Sequence, residues 1–312
     1  MSDNSNKIGV VFDPAYLRHD TGPGHPESSE RLQSICRMLD AFPNIPRIAA
    51  RRATREELQL IHRPEYVDKI LNMNVTEIEM LDPDTAVSPA SKEAALIAAG
   101  GVLEAVRLVL DGSFENVFCA VRPPGHHAES DKAMGFCLFN NIAIGAAWAL
   151  NSIGTDKVAI VDWDLHHGNG TQNAFYESNR VLYISLHQYP FYPGTGSSLE
   201  TGTGEGEGFT VNVPMGAGSD DRDYRDAFEA TVLPALDDFK PQLMMISAGF
   251  DAHRDDPLGY IDLSTEYFGE MTSNLKDLAG KYCKGRIVSV LEGGYHSGLS
   301  ETVRAHLSGL AR

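Results

Sequence analysis

Short apolar runs alternate with longer amphipathic stretches along most of the chain. Six runs rich in Val, Ile and Leu are apolar at consecutive positions, which is typical of strands that helices cover on both faces. They span residues 7–13, 116–122, 157–164, 180–187, 243–251 and 286–294. Because helical patterns separate these runs, the sequence predicts an α/β fold with three α-β-α layers and a mainly parallel central sheet.

Helix signals lie between the apolar runs. Thr54 and Glu57 have the spacing of a capping box and predict a helix over 54–62, and the apolar periodicity of 91–110 predicts another. Ser219 or Asp220, and Ser264, are candidate caps for two later helices. The sequence has no repeat and no composition break, so we expect one domain over residues 1–312.

Composition narrows the classes of partner. The chain has 43 acidic and 26 basic residues, a formal net charge of −17, and no Lys or Arg cluster, which argues against direct binding of nucleic acid. No apolar run approaches the ~20 residues that span a bilayer, and the first residues, MSDNSNK, lack a signal-peptide core. We therefore expect a cytoplasmic protein that does not bind membranes.

Two further patterns are discounted as functional signals. The cysteines at 36, 119, 137 and 283 form no C-x-x-C pair, so we expect reduced thiols rather than disulfides or a thiolate zinc site. The Gly-rich segment 201–208 lacks the Lys-Ser/Thr ending of a phosphate loop, so we expect a surface loop.

Polar, chemically active residues follow four of the apolar runs. They occur in the segments 122–127, 162–170, 248–256 and 292–296. Because the carboxyl ends of parallel strands meet at one edge of a sheet, we expect these segments to converge there. Any single Asp or His among them is typical of a helix cap, but four clusters at four strand ends favour a site.

The spacing in "VDWDLHH" indicates a metal ion. Asp162, Asp164 and His166 alternate, so in extended backbone their side chains point the same way and would need a cation between them. Asp251 can complete a set of three ligands, Asp164, His166 and Asp251, that leaves a position open for water, as in catalytic zinc sites. The oxygen-rich set leaves Fe²⁺ and Mn²⁺ open. Asp162 then supports the site or binds another cation.

The remaining segments supply acid, base and hydroxyl groups. His126 and His127 follow Pro-Pro-Gly and suit a general base and a general acid or electrostatic partner. Asp162 and Asn169 are the candidates that fix their tautomers, and a carboxylate on one imidazole and an amide on the other would separate their pKa values. Tyr295, after two glycines, would hold a developing oxyanion. Together these groups suit hydrolysis of an amide.

Several of these stretches together resemble the histone deacetylase superfamily, which has the arginase/deacetylase fold. The likeness is greatest to class II deacetylases and their bacterial amidohydrolase relatives. The matching stretches are 24–31, 122–141, 161–176, 183–196, 247–259 and 291–296. They occur in the family's order and reach from near the start of the chain to near its end.

The resemblance implies a role for each site residue. The zinc ligands would be Asp164, His166 and Asp251. His127 would be the general base that activates water, His126 its electrostatic partner paired with Asp162, and Tyr295 the group that stabilises the tetrahedral intermediate. Asn169 stands where the class I pattern has aspartate, which favours class II.

The resemblance also implies a substrate channel. Gly135, Phe136 and Tyr192 would line a narrow tunnel for the acyl-lysine stem, and Arg31 an inner channel through which acetate leaves. Leu258 stands where polyamine-selective relatives carry a glutamate, which favours an acylated lysine peptide over a small acylated amine. Among nearby acids, Asp82, Asp84 and Glu27 are candidates for the mouth of the tunnel, and one of the first two could accept hydrogen bonds from a substrate backbone.

Structural potassium is a further implication of the resemblance. One site would use Asp162, Asp164, His166, Ser185 and Leu186. A second would use backbone carbonyls near Phe175 and Val181.

Three alternatives stay open at this stage. An acetylpolyamine amidohydrolase would use the same chemistry on a different cationic tail. A ureohydrolase with two manganese ions ranks lower, because its additional bridging carboxylates are not apparent. A deacetylase-like binding module would be expected to lack a ligand or the tyrosine. The sequence leaves assembly into a homo-oligomer undecided.

Overall fold

Ten strands are present in the computed structural model, which describes residues 8–152 and 154–312. They are β1 (Ile8–Val11), β2 (Arg47–Ile48), β3 (Glu79–Asp82), β4 (Thr85–Val87), β5 (Asn116–Cys119), β6 (Val158–Asp162), β7 (Val181–Gln188), β8 (Thr210–Met215), β9 (Leu243–Ala248) and β10 (Ile287–Leu291). Eight of them form one sheet in the order β2-β1-β5-β10-β9-β6-β7-β8. Every neighbouring pair in that sheet is parallel, and β3 and β4 form a separate antiparallel hairpin.

Helices cover the sheet between the strands. The α-helices are α1 (Ser29–Asp40), α2 (Arg55–Leu58), α3 (Pro64–Asn72), α4 (Ser91–Leu110), α5 (Asn141–Leu150), α6 (Asn169–Phe175), α7 (Asp221–Ala227), α8 (Leu233–Phe239), α9 (Thr265–Tyr282) and α10 (Leu299–Leu310). A π-helical turn, Phe228–Val232, joins α7 to α8, and 3-10 turns occupy Pro14–Arg18 and Gly204–Gly206. This is the predicted three-layer α/β architecture with a parallel sheet.

All six predicted strands are present, and five of the six apolar runs extend past the end of their strand; the run 180–187 stops one residue before the end of β7. The first run begins at Lys7, which lies outside the described residues, as do the other residues of the polar segment 1–7. The central strands β6, β9 and β10 are buried along their whole length. Each Val, Ile or Leu side chain buried there contributes about 1.5–3 kcal/mol to folding relative to its exposure to water.

The predicted helix starts are also present, but the predicted end of one helix is wrong. Thr54 forms the predicted capping box with Glu57, but α2 ends at Leu58 rather than at residue 62. Pro64 opens α3 and disfavours helical backbone at the residue before it, so an irregular turn follows α2. Asp220, not Ser219, caps α7. Ser264 caps α9 by accepting a hydrogen bond from the Tyr267 N–H.

All four cysteines are free thiols. Residues 201–208 form a loop with one 3-10 turn between β7 and β8. None of the helices in the described part of the chain combines the length and apolar content that crossing a membrane requires.

Candidate metal centre and active site

Four adjacent strands in the middle of the sheet carry the segments that the sequence analysis singled out. In the order β5, β10, β9 and β6, their carboxyl ends lead to the His126–His127 pair, Tyr295, Asp251 and the Asp164–His166 pair. Parallel pairing places Asp162 in register with Ser247 and Ser185 on the strands beside it, so the following loops begin at one level. The predicted convergence at one edge of the sheet is present.

A pocket opens at this edge. Its volume is about 120 Å³, smaller than the roughly 300–1,000 Å³ of pockets that enclose a drug-sized ligand, so it suits a narrow group. Its lining comprises Asp84, Pro124, His126, His127, Gly135, Phe136, Asp164, His166, Tyr192, Leu258, Gly293 and Tyr295.

Asp164, His166 and Asp251 form a compact group of potential metal ligands near the pocket floor. One ligand atom from each lies within 4.8 Å of the others. His166 Nδ1 is 3.2 Å from Asp164 Oδ1 and 3.1 Å from Asp251 Oδ2. Backbone N–H groups orient the carboxylates: Leu165 donates to Asp251 Oδ1 and Gly293 to Asp164 Oδ2, each at 2.8 Å.

The charge of this group fits a divalent cation. Burial and the neighbouring Asp164 carboxylate raise the pKa of Asp251 to about 7, so two negative charges are costly side by side without a counterion. Burial also opposes ionisation of Asp164, but His126 and His166 outweigh it and lower the pKa of that carboxyl. Two carboxylates and one imidazole are donors that Zn²⁺, Fe²⁺ and Mn²⁺ accept.

Two glycines let backbone approach the ligand carboxylates closely. A Cβ atom on Gly293 would lie 2.2 Å from Asp251 Oδ2 and 2.7 Å from Asp164 Oδ2, and one on Gly249 would lie 2.1 Å from Asp164 Oδ2. No side chain fits at either position without displacing a ligand. The sequence pattern indicates Gly293 only as a residue that aims Tyr295 and does not indicate Gly249, although both glycines follow buried strands.

The two histidines make different hydrogen bonds. His126 Nδ1 donates to Asp162 Oδ2 at 3.1 Å, whereas His127 Nδ1 donates to the amide oxygen of Asn169 at 2.8 Å. Their rings are 4.0 Å apart, centroid to centroid. Because each Nδ1 carries a proton, the Nε2 atom of a neutral His127 is free to accept one.

Burial and the neighbouring charges separate the pKa values of the pair. Burial opposes charge on His126, but the carboxylates of Asp164 and Asp162 outweigh burial and raise the pKa of His126 to about 10. Burial, together with the charges of His126 and His166, lowers the pKa of His127 well below its usual value. At neutral pH the pair therefore holds one charged and one neutral imidazole.

Glu292 is the most prominent site residue that the sequence analysis missed. It is fully buried, and its Oε2 atom accepts hydrogen bonds from the N–H groups of Gly125 (2.7 Å) and His126 (3.2 Å). Its Oε1 atom has no hydrogen-bond partner among residues 8–152 and 154–312. An acid directly after strand β10 is a signal of the same kind as Asp162 at the end of β6.

Two further residues support the histidine pair and were not predicted from the sequence. The Tyr183 hydroxyl donates to Asp162 Oδ2 at 3.0 Å, and Glu129 Oε1 accepts from Asn169 Nδ2 at 2.5 Å. Both bonds hold the partners of the histidine pair in place. Nothing in the local sequence pointed to them, because the contacts depend on how neighbouring elements meet.

Tyr295 stands in the pocket wall. Its N–H donates to Asp256 Oδ2 at 2.6 Å, and its ring lies edge-on to Phe136 at 6.1 Å. The Arg31 guanidinium carbon is 4.8 Å from the ring centroid. Burial raises the pKa of Tyr295 well above its usual value, so the hydroxyl keeps its proton and acts as a donor.

Arg31 braces the turn that carries Tyr295. It donates to the carbonyl oxygens of Glu292 (2.5 Å) and Gly294 (2.7 Å). It also contacts Glu27, at 3.2 Å. Glu27 is fully buried, and the guanidinium of Arg122 holds it through two hydrogen bonds. The expectation that Glu27 borders the tunnel mouth is therefore wrong, since two buried arginines draw its carboxylate inward.

The pocket walls contain the predicted tunnel residues Gly135, Phe136, Tyr192 and Leu258. Gly135 has φ +58°, and a Cβ atom there would lie 2.2 Å from the His127 ring. Its N–H donates to Asp84 Oδ1 at 2.9 Å. Tyr192 lies edge-on to His127 at 5.2 Å. Of the two candidate acids, Asp84 lines the pocket, whereas Asp82 pairs with Lys132 at 3.6 Å.

The residues assigned to potassium lie around strand β7. Ser185 and Leu186 are buried in β7 beside Asp162 of β6, and the Ser185 hydroxyl is hydrogen-bonded to His187 Nδ1 at 2.8 Å. Phe175 ends α6 and Val181 begins β7, at the other end of that strand. Binding of potassium stays a prediction, as do the roles of the catalytic and substrate residues.

Comparison with known proteins identifies the relatives of the whole chain. A family model described as "Histone deacetylase domain" matches residues 25–310. A "Probable deacetylase" of Archaeoglobus fulgidus is 42% identical over 292 residues, which are 92% of this chain and 81% of that protein. "Histone deacetylase 15" of Arabidopsis thaliana is 42% identical over 308 residues, but these cover only 55% of its length.

A solved structure matches as well. The "Crystal Structure of HDA15 HD domain" superposes with a TM-score of 0.93 at 41% identity, covering 98% of this chain and 90% of that one. This match confirms the predicted arginase/deacetylase fold.

Proposed function

The chain belongs to the histone deacetylase family and is a hydrolase of acetylated amides, and from that premise we propose that it is a zinc-dependent deacetylase of acyl-lysine peptides. The observation that carries this proposal is the constellation at the pocket floor. Two metal-ligand candidates, a histidine pair with unlike partners and a protonated tyrosine line one narrow pocket, and the third ligand candidate, Asp251, lies directly beside the other two.

The chain's own residues would divide the reaction between them. His127, held by Asn169, would take a proton from the attacking water at Nε2 and return it to the leaving amine. His126, paired with Asp162, would provide positive charge beside the tetrahedral intermediate. The Tyr295 hydroxyl would donate a hydrogen bond to its oxyanion.

Asp164, His166 and Asp251 would hold the metal ion. A divalent cation there would polarise the acyl oxygen and lower the pKa of water. Zinc is the first choice because the donor set leaves an open position, and Fe²⁺ and Mn²⁺ suit the same donors. Structural potassium at the two sites near β7 and acetate release past Arg31 complete the proposal, and both rest on the family resemblance.

The pocket wall supports a peptide substrate over a polyamine. Leu258 offers no charge to pair with the distant ammonium of an acetylpolyamine, and Tyr192 and Phe136 suit the methylenes of a lysine stem. Asp84 is the one observation that favours a second candidate, an acetylpolyamine amidohydrolase, because its carboxylate lines the same pocket. In a peptide complex Asp84 would instead accept hydrogen bonds from the substrate backbone.

A substrate panel with metal-defined protein tests the proposal. Apoprotein loaded separately with Zn²⁺, Fe²⁺ and Mn²⁺ is assayed on acetyl-lysine peptides, acetylputrescine and acetylspermidine, with metal content measured in parallel. We expect hydrolysis of the peptides in the zinc form. Much better turnover of the acetylpolyamines would make the second candidate correct. Two manganese ions per chain with arginine turnover would establish a ureohydrolase, and tight binding of peptide without turnover a binding module.

A further inference from the structure

An exposed aromatic ring stands beside the pocket without a role in the reaction. Tyr260 is 68% exposed, although it follows Leu258 of the pocket wall by only two residues. Exposed tyrosines on a loop are common, so exposure alone indicates nothing. The fixed backbone of Tyr260 and its aromatic neighbours distinguish this ring from other exposed tyrosines.

The backbone of Tyr260 is fixed on both sides. Its N–H donates to the side-chain oxygen of Gln188 at 2.8 Å, and its carbonyl accepts from the Gly218 N–H at 2.5 Å. The preceding residue, Gly259, packs so closely on Leu165 that a Cβ atom would lie 1.9 Å from that side chain. A ring presented from a fixed backbone loses little conformational entropy when a ligand covers it.

A chain of aromatic contacts joins Tyr260 to the metal centre. Its ring lies edge-on to Phe191 at 6.1 Å, and Phe191 stacks on His166 at 5.7 Å. Tyr192, next to Phe191, is part of the pocket wall and is 38% exposed at the rim. Phe191, Tyr192, Leu258 and Tyr260 thus form one surface, here called the apolar shelf, that continues the pocket wall to the outside.

We propose that the apolar shelf binds an apolar side chain of the peptide that carries the acylated lysine, with Tyr260 as its principal contact. The inference rests on the proposed function and specifies its substrate class. The Tyr260 ring lies 6.1 Å from that of Phe191, the neighbour of Tyr192 in the pocket wall. Because an extended chain advances about 3.4 Å per residue, we place the bound side chain roughly one to three residues from the lysine.

The shape and charge of the surface favour this occupant. A small acylated amine that fills the pocket has no atoms left to reach Tyr260. A folded partner would need about 800 Å² of buried surface, whereas a peptide needs one anchored side chain. The net charge of −17 disfavours acidic peptides and suits a neutral or basic one.

Matched peptides test the proposal. Acetyl-lysine peptides with glycine at every flanking position are compared with peptides carrying a single Phe or Leu at each of the three positions on either side. With the zinc-loaded protein we expect KM to fall about 5- to 30-fold for at least one apolar position, the scale of one anchored side chain. Equal KM across the panel would overturn the proposal.

Three variants attribute the preference to the ring. The preference is the ratio of KM for the glycine-flanked peptide to KM for the best apolar-flanked peptide. Tyr260→Ala should reduce this ratio to about 1, and Tyr260→Phe should keep the wild-type ratio because the contact is apolar. Phe42→Ala is the control, since Phe42 is also an exposed aromatic (39%) but precedes β2, at the opposite edge of the sheet. A ratio that survives in Tyr260→Ala would overturn the proposal.

A binding measurement keeps this inference separate from the proposed function. Fluorescence anisotropy of the labelled peptides with the Tyr295→Phe variant reports Kd while turnover is expected to be about 10²- to 10³-fold slower than in the wild type. Equal Kd values for glycine-flanked and apolar-flanked peptides would overturn the proposal that the apolar shelf binds a side chain. Absence of turnover of every acylated substrate by the metal-loaded wild type overturns the deacetylase proposal instead.

Discussion

Neighbouring residues of the same type take different roles when their partners differ, as His126 and His127 do. Despite burial, the Asp164 and Asp162 carboxylates raise the pKa of His126, whereas burial and the charges of His126 and His166 lower the pKa of His127. One charged and one neutral ring therefore lie only 4.0 Å apart. The sequence analysis proposed both partners from the spacing of "VDWDLHHGNG". The physical reason is general, since a carboxylate stabilises an imidazolium and an amide oxygen does so much less.

At the residue scale, Tyr295→Phe isolates a single hydroxyl. The ring is held by Phe136 and Arg31 and its backbone by Asp256, so the variant should fold and bind metal as the wild type does. We expect kcat on an acetyl-lysine peptide to fall by about 10²- to 10³-fold, the scale of losing one oxyanion donor. Metal content measured on the same samples is the control. Full turnover would exclude the hydroxyl from the mechanism.

Glu292 gives a second prediction at the residue scale. Two variants test whether this residue positions the histidine pair or only stabilises the fold. Glu292→Ala leaves the N–H groups of Gly125 and His126 without their acceptor and frees the loop that carries the histidine pair. We expect kcat to fall about 10²-fold, as small displacements of catalytic groups do. Each unsatisfied donor should also cost about 1–3 kcal/mol of stability.

Glu292→Gln is the matched control, because its amide oxygen can still accept both hydrogen bonds. We expect it to recover most of the turnover that Glu292→Ala loses. If the alanine variant loses stability but keeps the wild-type kcat, Glu292 supports the fold and does not position the histidines.

At the scale of elements, the sequence predicted buried strands better than edge strands. The six runs found are apolar at consecutive positions because helices cover them on both sides. The other strands of the main sheet, β8 and β2, escaped because β8 is only half-buried at one edge and β2 has just two residues. In the separate hairpin, β3 is largely exposed and β4 is buried but has only three residues, so neither strand has a recognisable apolar run.

The same reasoning explains which site residues were found. Side chains that directly follow strands in one sheet converge wherever the strands are parallel, so Asp164, Asp251 and Tyr295 could be grouped from the sequence. Tyr183 and Glu129 act through contacts between elements whose register the sequence does not reveal. Glu27 was misplaced because its contact with Arg122, 95 residues away, depends on two distant segments meeting in the interior, and Arg31 adds a second ion pair from within the segment of Glu27.

Close approach of one loop to the metal ligands gives an element-scale prediction. Gly293→Ala would force a methyl group against Asp251 and Asp164, at the turn after β10. Because these carboxylates must shift, we expect metal affinity to fall about 10- to 100-fold, the scale of losing support around a metal site. Competition with a chelator measures it. Gly280→Ala is the control, since a Cβ atom there meets no heavy atom within 4 Å in the described structure. Unchanged affinity in Gly293→Ala would contradict the assignment of these ligands.

At the scale of the whole molecule, buried neutral histidines make stability depend on pH. His62 Nδ1 donates to the Glu129 carbonyl, and its Nε2 accepts from the Asn140 N–H. His306 Nδ1 bonds to Thr272 and its Nε2 to Ser289. Burial lowers the pKa of His62 from 6.5 to about 4 and that of His306 from 6.5 to about 3. Neither lies in the pocket, so their effect on stability is separate from catalysis.

The sign follows from the direction of both shifts. The unfolded chain binds a proton at each histidine near pH 6.5, and the folded chain binds it only well below that. The stability that the two neutral histidines contribute is therefore complete above about pH 6.5 and is lost as the pH falls toward 4. Each neutral histidine makes the free energy of unfolding fall by up to about 1.4 kcal/mol per pH unit in this window.

His306→Gln tests this dependence. Urea unfolding of the metal-free wild type and the variant between pH 6.5 and 4 gives the slope of the free energy of unfolding against pH for each protein. In the difference between the two slopes, the contributions of the other titrating groups cancel. We expect the slope of the variant to be smaller by about 1 kcal/mol per pH unit, because one proton no longer binds on unfolding. Ser289→Ala keeps the imidazole and should keep the wild-type slope while lowering stability at every pH. Equal slopes in wild type and His306→Gln would mean that His306 already carries its proton in the folded chain, so burial would not be holding it neutral.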